Sequence, residues 1–150
     1  MQYREITLAA DPLQKFWRQL KQQSPPSPVL YYQLGETYRD QAGQEAAKAR
    51  GASAAGWTQS PHNYIPARAI DVYPIIATPD GPQVSEDPAD YRQIVELAES
   101  MFLISGGSFG DYPHIELPNW RQFQPPKKKI PFGAAFAAGL MAWILLRYRT

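Results

Sequence analysis

Two histidines are all that this 150-residue chain contains, and each has an aspartate at short range. His62 stands in Ser60-Pro61-His62-Asn63-Tyr64, and nine positions on comes Asp71, inside the run Ala69-Ile70-Asp71-Val72. His114 closes Asp111-Tyr112-Pro113-His114 and leads into Ile115-Glu116-Leu117. Imidazole nitrogens and carboxylate oxygens are donors that borderline metal ions accept. Three of them, with a fourth position left to water, make a hydrolytic centre. The candidate set is His62, Asp71 and His114. No cysteine is present, so thiolate zinc sites, disulfides and a cysteine nucleophile are excluded.

Hydrolysis also needs a group that moves a proton. Asp111 lies three residues before His114 with Pro113 between them, a spacing that suits a tight turn aiming a carboxylate at a metal-activated water. Glu116 competes for that role, because it shares the strand face of His114; it serves equally well as a partner orienting an imidazole. Arg39 follows a strand end and precedes a helix start, where a guanidinium suits a substrate carboxylate or a developing oxyanion. The spacing is not that of a zinc helix carrying HExxH, so the residues alone leave the chemistry open.

The elements that must position these groups can be read in outline. Asp11-Pro12 reads as an N-cap with proline at the first helical position, and Leu13, Phe16, Trp17 and Leu20 follow at helical spacing. The cluster Ser24-Pro25-Pro26-Ser27-Pro28 ends that helix, and Val29 to Leu34 reads as a strand. Gln41 to Arg50 is built of good helix formers, with Gly51 as the stop. From Arg68 to Ile76 alternation places Ala69, Asp71 and Tyr73 on one strand face and Ile70 and Val72 on the other. Thr78 to Pro88, rich in proline, glycine and acid, reads as a loop. Asp87 then caps a helix whose apolar stripe is Tyr91, Ile94, Val95, Ala98, Met101 and Phe102. Gly106-Gly107-Ser108-Phe109-Gly110 lacks the lysine of a phosphate loop, and its expected role is to aim the strand carrying His114 and Glu116.

With 15 basic and 14 acidic side chains the net charge is +1, so no overall field draws the chain to nucleic acid, and no nucleic-acid partner is expected. The last segment differs in character. Lys127-Lys128-Lys129 precedes an uncharged run over residues 130–146, and Arg147 and Arg149 follow it. That run stands at the lower length limit for a bilayer span, so the reading divides the chain into a domain over 1–124 and a basic-flanked hydrophobic helix over 125–150, a possible membrane anchor. The start of the chain lacks the basic and apolar pattern of a secretory signal, and the expected location is cytoplasmic.

Taken together, Ser60-Pro61-His62-Asn63-Tyr64, Ala69-Ile70-Asp71-Val72 and Asp111-Tyr112-Pro113-His114-Ile115-Glu116-Leu117, with Thr37-Tyr38-Arg39 and Gln44 upstream, resemble the zinc D-alanyl-D-alanine carboxypeptidase and L-alanyl-D-glutamate endopeptidase superfamily. The likeness is greatest to its small bacteriophage endolysins, and it spans roughly residues 10 to 120. It implies a small α+β domain in which an antiparallel sheet carries one zinc ion and packs with two or three helices. It further implies that His62, Asp71 and His114 bind the metal, that Asp111 is the catalytic carboxylate, and that Arg39 and Ser60 line the substrate site. The implied substrate is the stem peptide of bacterial peptidoglycan, cut by a phage or prophage lysis enzyme that waits in the cytoplasm until the membrane is breached. Two features depart from the family pattern. The interval from His62 to Asp71 is longer than the commoner one and lacks its glycine, and Phe109 stands where the glycine-rich turn often carries tryptophan. The competing expectation is a noncatalytic wall-binding or membrane-tethered protein that keeps the fold.

Overall fold

The computed structural model describes residues 1–122. Strands β1 (Gln2–Tyr3), β2 (Val29–Leu34), β3 (Tyr38–Arg39), β4 (Ala69–Thr78), β5 (Gly81–Val84), β6 (Ile104–Ser105) and β7 (His114–Glu116) accompany helices α1 (Asp11–Gln22), α2 (Gln41–Ala49) and α3 (Arg92–Ser100). The fold is α+β. Five strands form an antiparallel sheet in the order β2-β4-β7-β6 with β5 also on β4, and β1 pairs separately with β3.

β4 is the axis of the sheet because its β-branched and aromatic residues give it length enough to serve three partners. One edge meets β2 from Val72 to Ile76. The other edge meets β7 from Ala69 to Asp71 and β5 from Ile75 to Thr78. Pro74, which has no N–H to donate, falls between those two partners, where that edge passes from β7 to β5. A central-strand proline is thereby tolerated.

The two faces of the sheet divide the labour. Ile70, Val72 and Ile115 are fully buried against Leu13, Phe16 and Leu20 of α1 and Ile94 and Ala98 of α3. Burying each large side chain of this group contributes about 1.5–3 kcal/mol, so this layer anchors the sheet. Asp71, Tyr73, His114 and Glu116 alternate with those residues and face the other way.

Three expectations are corrected. Residues 78–88 are not one loop: Pro79 and Asp80 form a tight turn and Gly81–Val84 pairs back on β4, with Thr78 Oγ1 donating to the Gly81 carbonyl at 2.6 Å. The turn residues occupy two positions, and the edge of β4 needs a partner over the next four. Helix α1 takes Ala10, not Asp11, as its N-cap, with no side-chain cap, because Ala10 is held by its N–H on the Ala67 carbonyl. Phe102 leaves the apolar stripe: α3 ends at Ser100, and Phe102, at φ 58°, is 86% exposed. No helix among the described residues is long and apolar enough to cross a membrane; the expected hydrophobic helix over 125–150 lies outside them.

Candidate metal centre

His62 sits in a tight turn, Pro61–Asn63, that the sequence closes at both ends. Ser60 Oγ accepts from the His62 N–H at 3.4 Å, and Asn63 Oδ1 accepts from the Ser60 N–H at 3.3 Å, a reciprocal cap. Asn63 Nδ2 in turn donates to the Arg39 carbonyl and to Gln44 Oε1. The ring of His62 is thus delivered by a segment with little freedom. Its Nδ1 lies 2.9 Å from the Thr37 carbonyl oxygen. A carbonyl only accepts, so Nδ1 carries the hydrogen and Nε2 presents a lone pair.

His114 is placed by register. Asp71 of β4 stands directly opposite His114 of β7, so their side chains leave the same sheet face side by side. His114 Nε2 lies 3.1 Å from Glu116 Oε2; donation to that carboxylate leaves Nδ1 as a second lone pair. Gly106 makes room for the approach, since the turn it opens passes so close that a Cβ there would lie 2.0 Å from the Asp111 carbonyl oxygen and 2.9 Å from His114 Cβ.

Three acceptors therefore converge. His62 Nε2 to His114 Nδ1 is 3.4 Å, His62 Nε2 to Asp71 Oδ1 is 3.4 Å, and His114 Nδ1 to Asp71 Oδ1 is 3.3 Å. Neutral imidazoles in these tautomers leave no hydrogen to bridge any side of that triangle, so the arrangement calls for a cation at its centre. Ligand atoms about 2.0–2.1 Å from a tetrahedral zinc ion stand about 3.3–3.4 Å from one another, and the observed sides match. The residues fit the group. Without a metal the same triangle takes a proton in the cation's place: burial would raise the Asp71 carboxyl, but the two histidines in their charged forms outweigh it and hold Asp71 well below the usual carboxylate range. Burial would lower His114, and Asp71 and Glu116 overcome it, lifting His114 to about 9.

The triangle opens onto a cleft of about 620 Å³, also lined by Glu36, Arg39, Tyr73 and Asp111. Asp111 is exposed at its mouth, and its carboxylate receives no hydrogen bond from the described residues. Partial loss of hydration, with Asp71 adding to it, raises its carboxyl above the ordinary value despite the nearby histidines and Arg39. Arg39 is 8% exposed and largely committed: Nε donates to Glu36 Oε1 at 2.6 Å, Nη2 pairs with Glu36 Oε2, and Nη1 reaches Gln44 Oε1 at 3.2 Å. Burial opposes its charge, and the Glu36 carboxylate more than offsets this.

The expected residues thus take distinct positions. His62, Asp71 and His114 meet within one ion's reach. Arg39 and Asp111 line the cleft beside them, whereas Glu116 holds the far nitrogen of His114, and Ser60 caps the His62 turn; neither of these two lines the cleft. Glu36, the Thr37 carbonyl and Tyr73 were not singled out from the sequence. Tyr73 could have been, since it stands two residues beyond Asp71 on the same strand face; burial, then the charges of Asp71 and Asp111, push its phenol up to about 12, so it is a neutral donor.

No protein-family model and no curated protein sequence matches this chain. Among solved structures the fold is similar to that of the L-Ala D-Glu endopeptidase ChiX of Serratia marcescens, with 24% sequence identity, a TM-score of 0.54, and coverage of 81% of this chain and 91% of that one.

Proposed function

We propose that this chain is a zinc-dependent peptidase that hydrolyses peptide bonds in the stem peptide of bacterial peptidoglycan, of the L-alanyl-D-glutamate endopeptidase or D-alanyl-D-alanine carboxypeptidase type, in the setting of phage or prophage lysis. The observation that carries the reading is the triangle of His62, Asp71 and His114 donor atoms opening on a cleft that holds the carboxylate of Asp111, unbonded among the described residues. Similarity of the fold to an L-Ala D-Glu endopeptidase supports the substrate class.

Bound by these three residues, zinc supplies a water of near-neutral pKa and a Lewis acid for the scissile carbonyl. The protein's own groups do the rest. Glu116 and the Thr37 carbonyl fix both imidazoles in the tautomers that ligation requires. Asp111 accepts the proton of the attacking water and returns it to the leaving amine. Arg39, anchored on Glu36, presents its remaining N–H groups to the cleft, and the Tyr73 hydroxyl adds a neutral donor there.

The test is to incubate purified protein and zinc with isolated peptidoglycan and identify the fragments by mass spectrometry. New peptide termini within the stem are expected. An unchanged wall with zinc bound would refute the reading and favour a wall-binding protein of the same fold.

A further inference from the structure

The cleft carries two arginines that no carboxylate among the described residues pairs with. Three arginines line it, Arg4, Arg39 and Arg50, and they are not equivalent. Arg39 is buried and neutralised by Glu36. Arg4 and Arg50 are exposed, and neither has a carboxylate or hydrogen-bond partner among the described residues.

Their placement is built by two separate segments. β1 pairs with β3 in the register Gln2 to Arg39, and the Gln2 side chain donates to Glu36 at 3.2 Å, so the chain leaving β1 carries Arg4 along the cleft wall. Gly43 of α2 packs so tightly on the Met1 carbonyl that a Cβ there would approach it to 2.4 Å, which ties α2 to the same wall. Arg50 is the C-cap of α2, and the small residues Gly51 to Ala55 that follow line the cleft without filling it. Gln44 holds that loop down through Ser53 Oγ and the Ala55 carbonyl, at 3.1 and 2.8 Å. Both guanidinium groups are therefore mounted on held backbone beside open space.

We infer that Arg4 and Arg50 form an anion subsite that takes a carboxylate of the peptide substrate, so that acidic peptides are selected over their amides. This rests on the peptidase reading and deepens it by naming what the arginines of the cleft wall recognise. Two arginines with free forks suit a planar carboxylate, and an amide in its place would leave them unmatched.

The test uses one synthetic stem peptide in two forms, with the glutamyl carboxylate free or converted to the amide. Titration calorimetry on the full, zinc-loaded D111N chain measures affinity without turnover, and mass spectrometry follows cleavage by the unmutated chain. The acid form is expected to bind about tenfold more tightly at low salt, as suits partly exposed charge-assisted bonds, and the preference is expected to shrink as salt rises. R4Q and R50Q should each erode it, and the double variant should abolish it while zinc content stays unchanged. Equal affinity for both forms, binding of neither, or a preference that survives in the double variant overturns the subsite. Inorganic phosphate displacing the peptide at matching concentration would also overturn it, by marking a site for any anion. Acid-selective binding without cleavage would leave the subsite standing and defeat the peptidase reading; cleavage without selectivity would do the reverse.

Discussion

Replacing Gly106 by alanine tests whether a close backbone approach holds the metal triangle together. A Cβ at this position would lie 2.0 Å from the Asp111 carbonyl oxygen, whereas comfortable carbon–oxygen contacts are about 3.3 Å, so the carbonyl must retreat by more than about 1 Å. That carbonyl accepts the His114 N–H at 3.0 Å, and the Asp111 N–H donates to the Gly106 carbonyl at 2.9 Å. Overpacking costs about 1–3 kcal/mol and each lost hydrogen bond about 1 kcal/mol, so a loss near 3 kcal/mol is expected. For a chain of this length that corresponds to a fall in Tm of roughly 6–12 °C. Because His114 moves with the carbonyl, zinc affinity should drop by about 10–100-fold, the range seen when a ligand loses its orientation. Gly110 provides the contrast: it has φ +83°, but a Cβ there would meet nothing within 4 Å, so Gly110→Ala should cost only about 1 kcal/mol and leave zinc affinity alone. Circular-dichroism melts and competition with a chromophoric chelator measure both quantities. Wild-type zinc affinity in Gly106→Ala, or equal damage from Gly110→Ala, would refute the reasoning.

Glu116→Gln keeps a hydrogen-bond acceptor for His114 Nε2 and removes the charge, and chelator competition should show zinc binding weakened by about 10–100-fold. Asp111→Asn should bind zinc normally by the same assay yet release at least about 100-fold less product from peptidoglycan, the usual scale of a lost general base. Since the folded-state Asp111 carboxyl is raised, the unfolded chain binds fewer protons between the ordinary and the raised value, and stability falls as pH rises through that window. The metal-free Asp111→Asn chain should therefore melt slightly higher than wild type at neutral pH; a lower Tm would count against a raised carboxyl.

The candidate group His62, Asp71 and His114 was legible because the chain has only two histidines and because strand alternation separates Asp71 from Ile70 and Val72. What alternation does not reveal is which strands pair. The register that sets Asp71 opposite His114 depends on β7 returning to the first half of β4, a long-range choice made by core packing. The choice between Asp111 and Glu116 had the same character: both are near His114 in sequence, and only the tertiary arrangement puts one at the cleft and the other behind the ring. The Thr37 carbonyl that fixes the His62 tautomer was invisible in principle, since every residue carries a carbonyl. Phe102 misled because helical spacing continues in the sequence for two residues after the helix has stopped.

Dependence of cleavage on one ion held by His62, Asp71 and His114 is tested most directly by titrating zinc into metal-free protein while following release of peptide fragments from peptidoglycan. Activity should rise linearly and break at one ion per chain in wild type, and stay absent in His62→Ala, Asp71→Asn and His114→Ala at the same zinc. Full activity in chelator, or activity that survives loss of any of those three side chains, would contradict it.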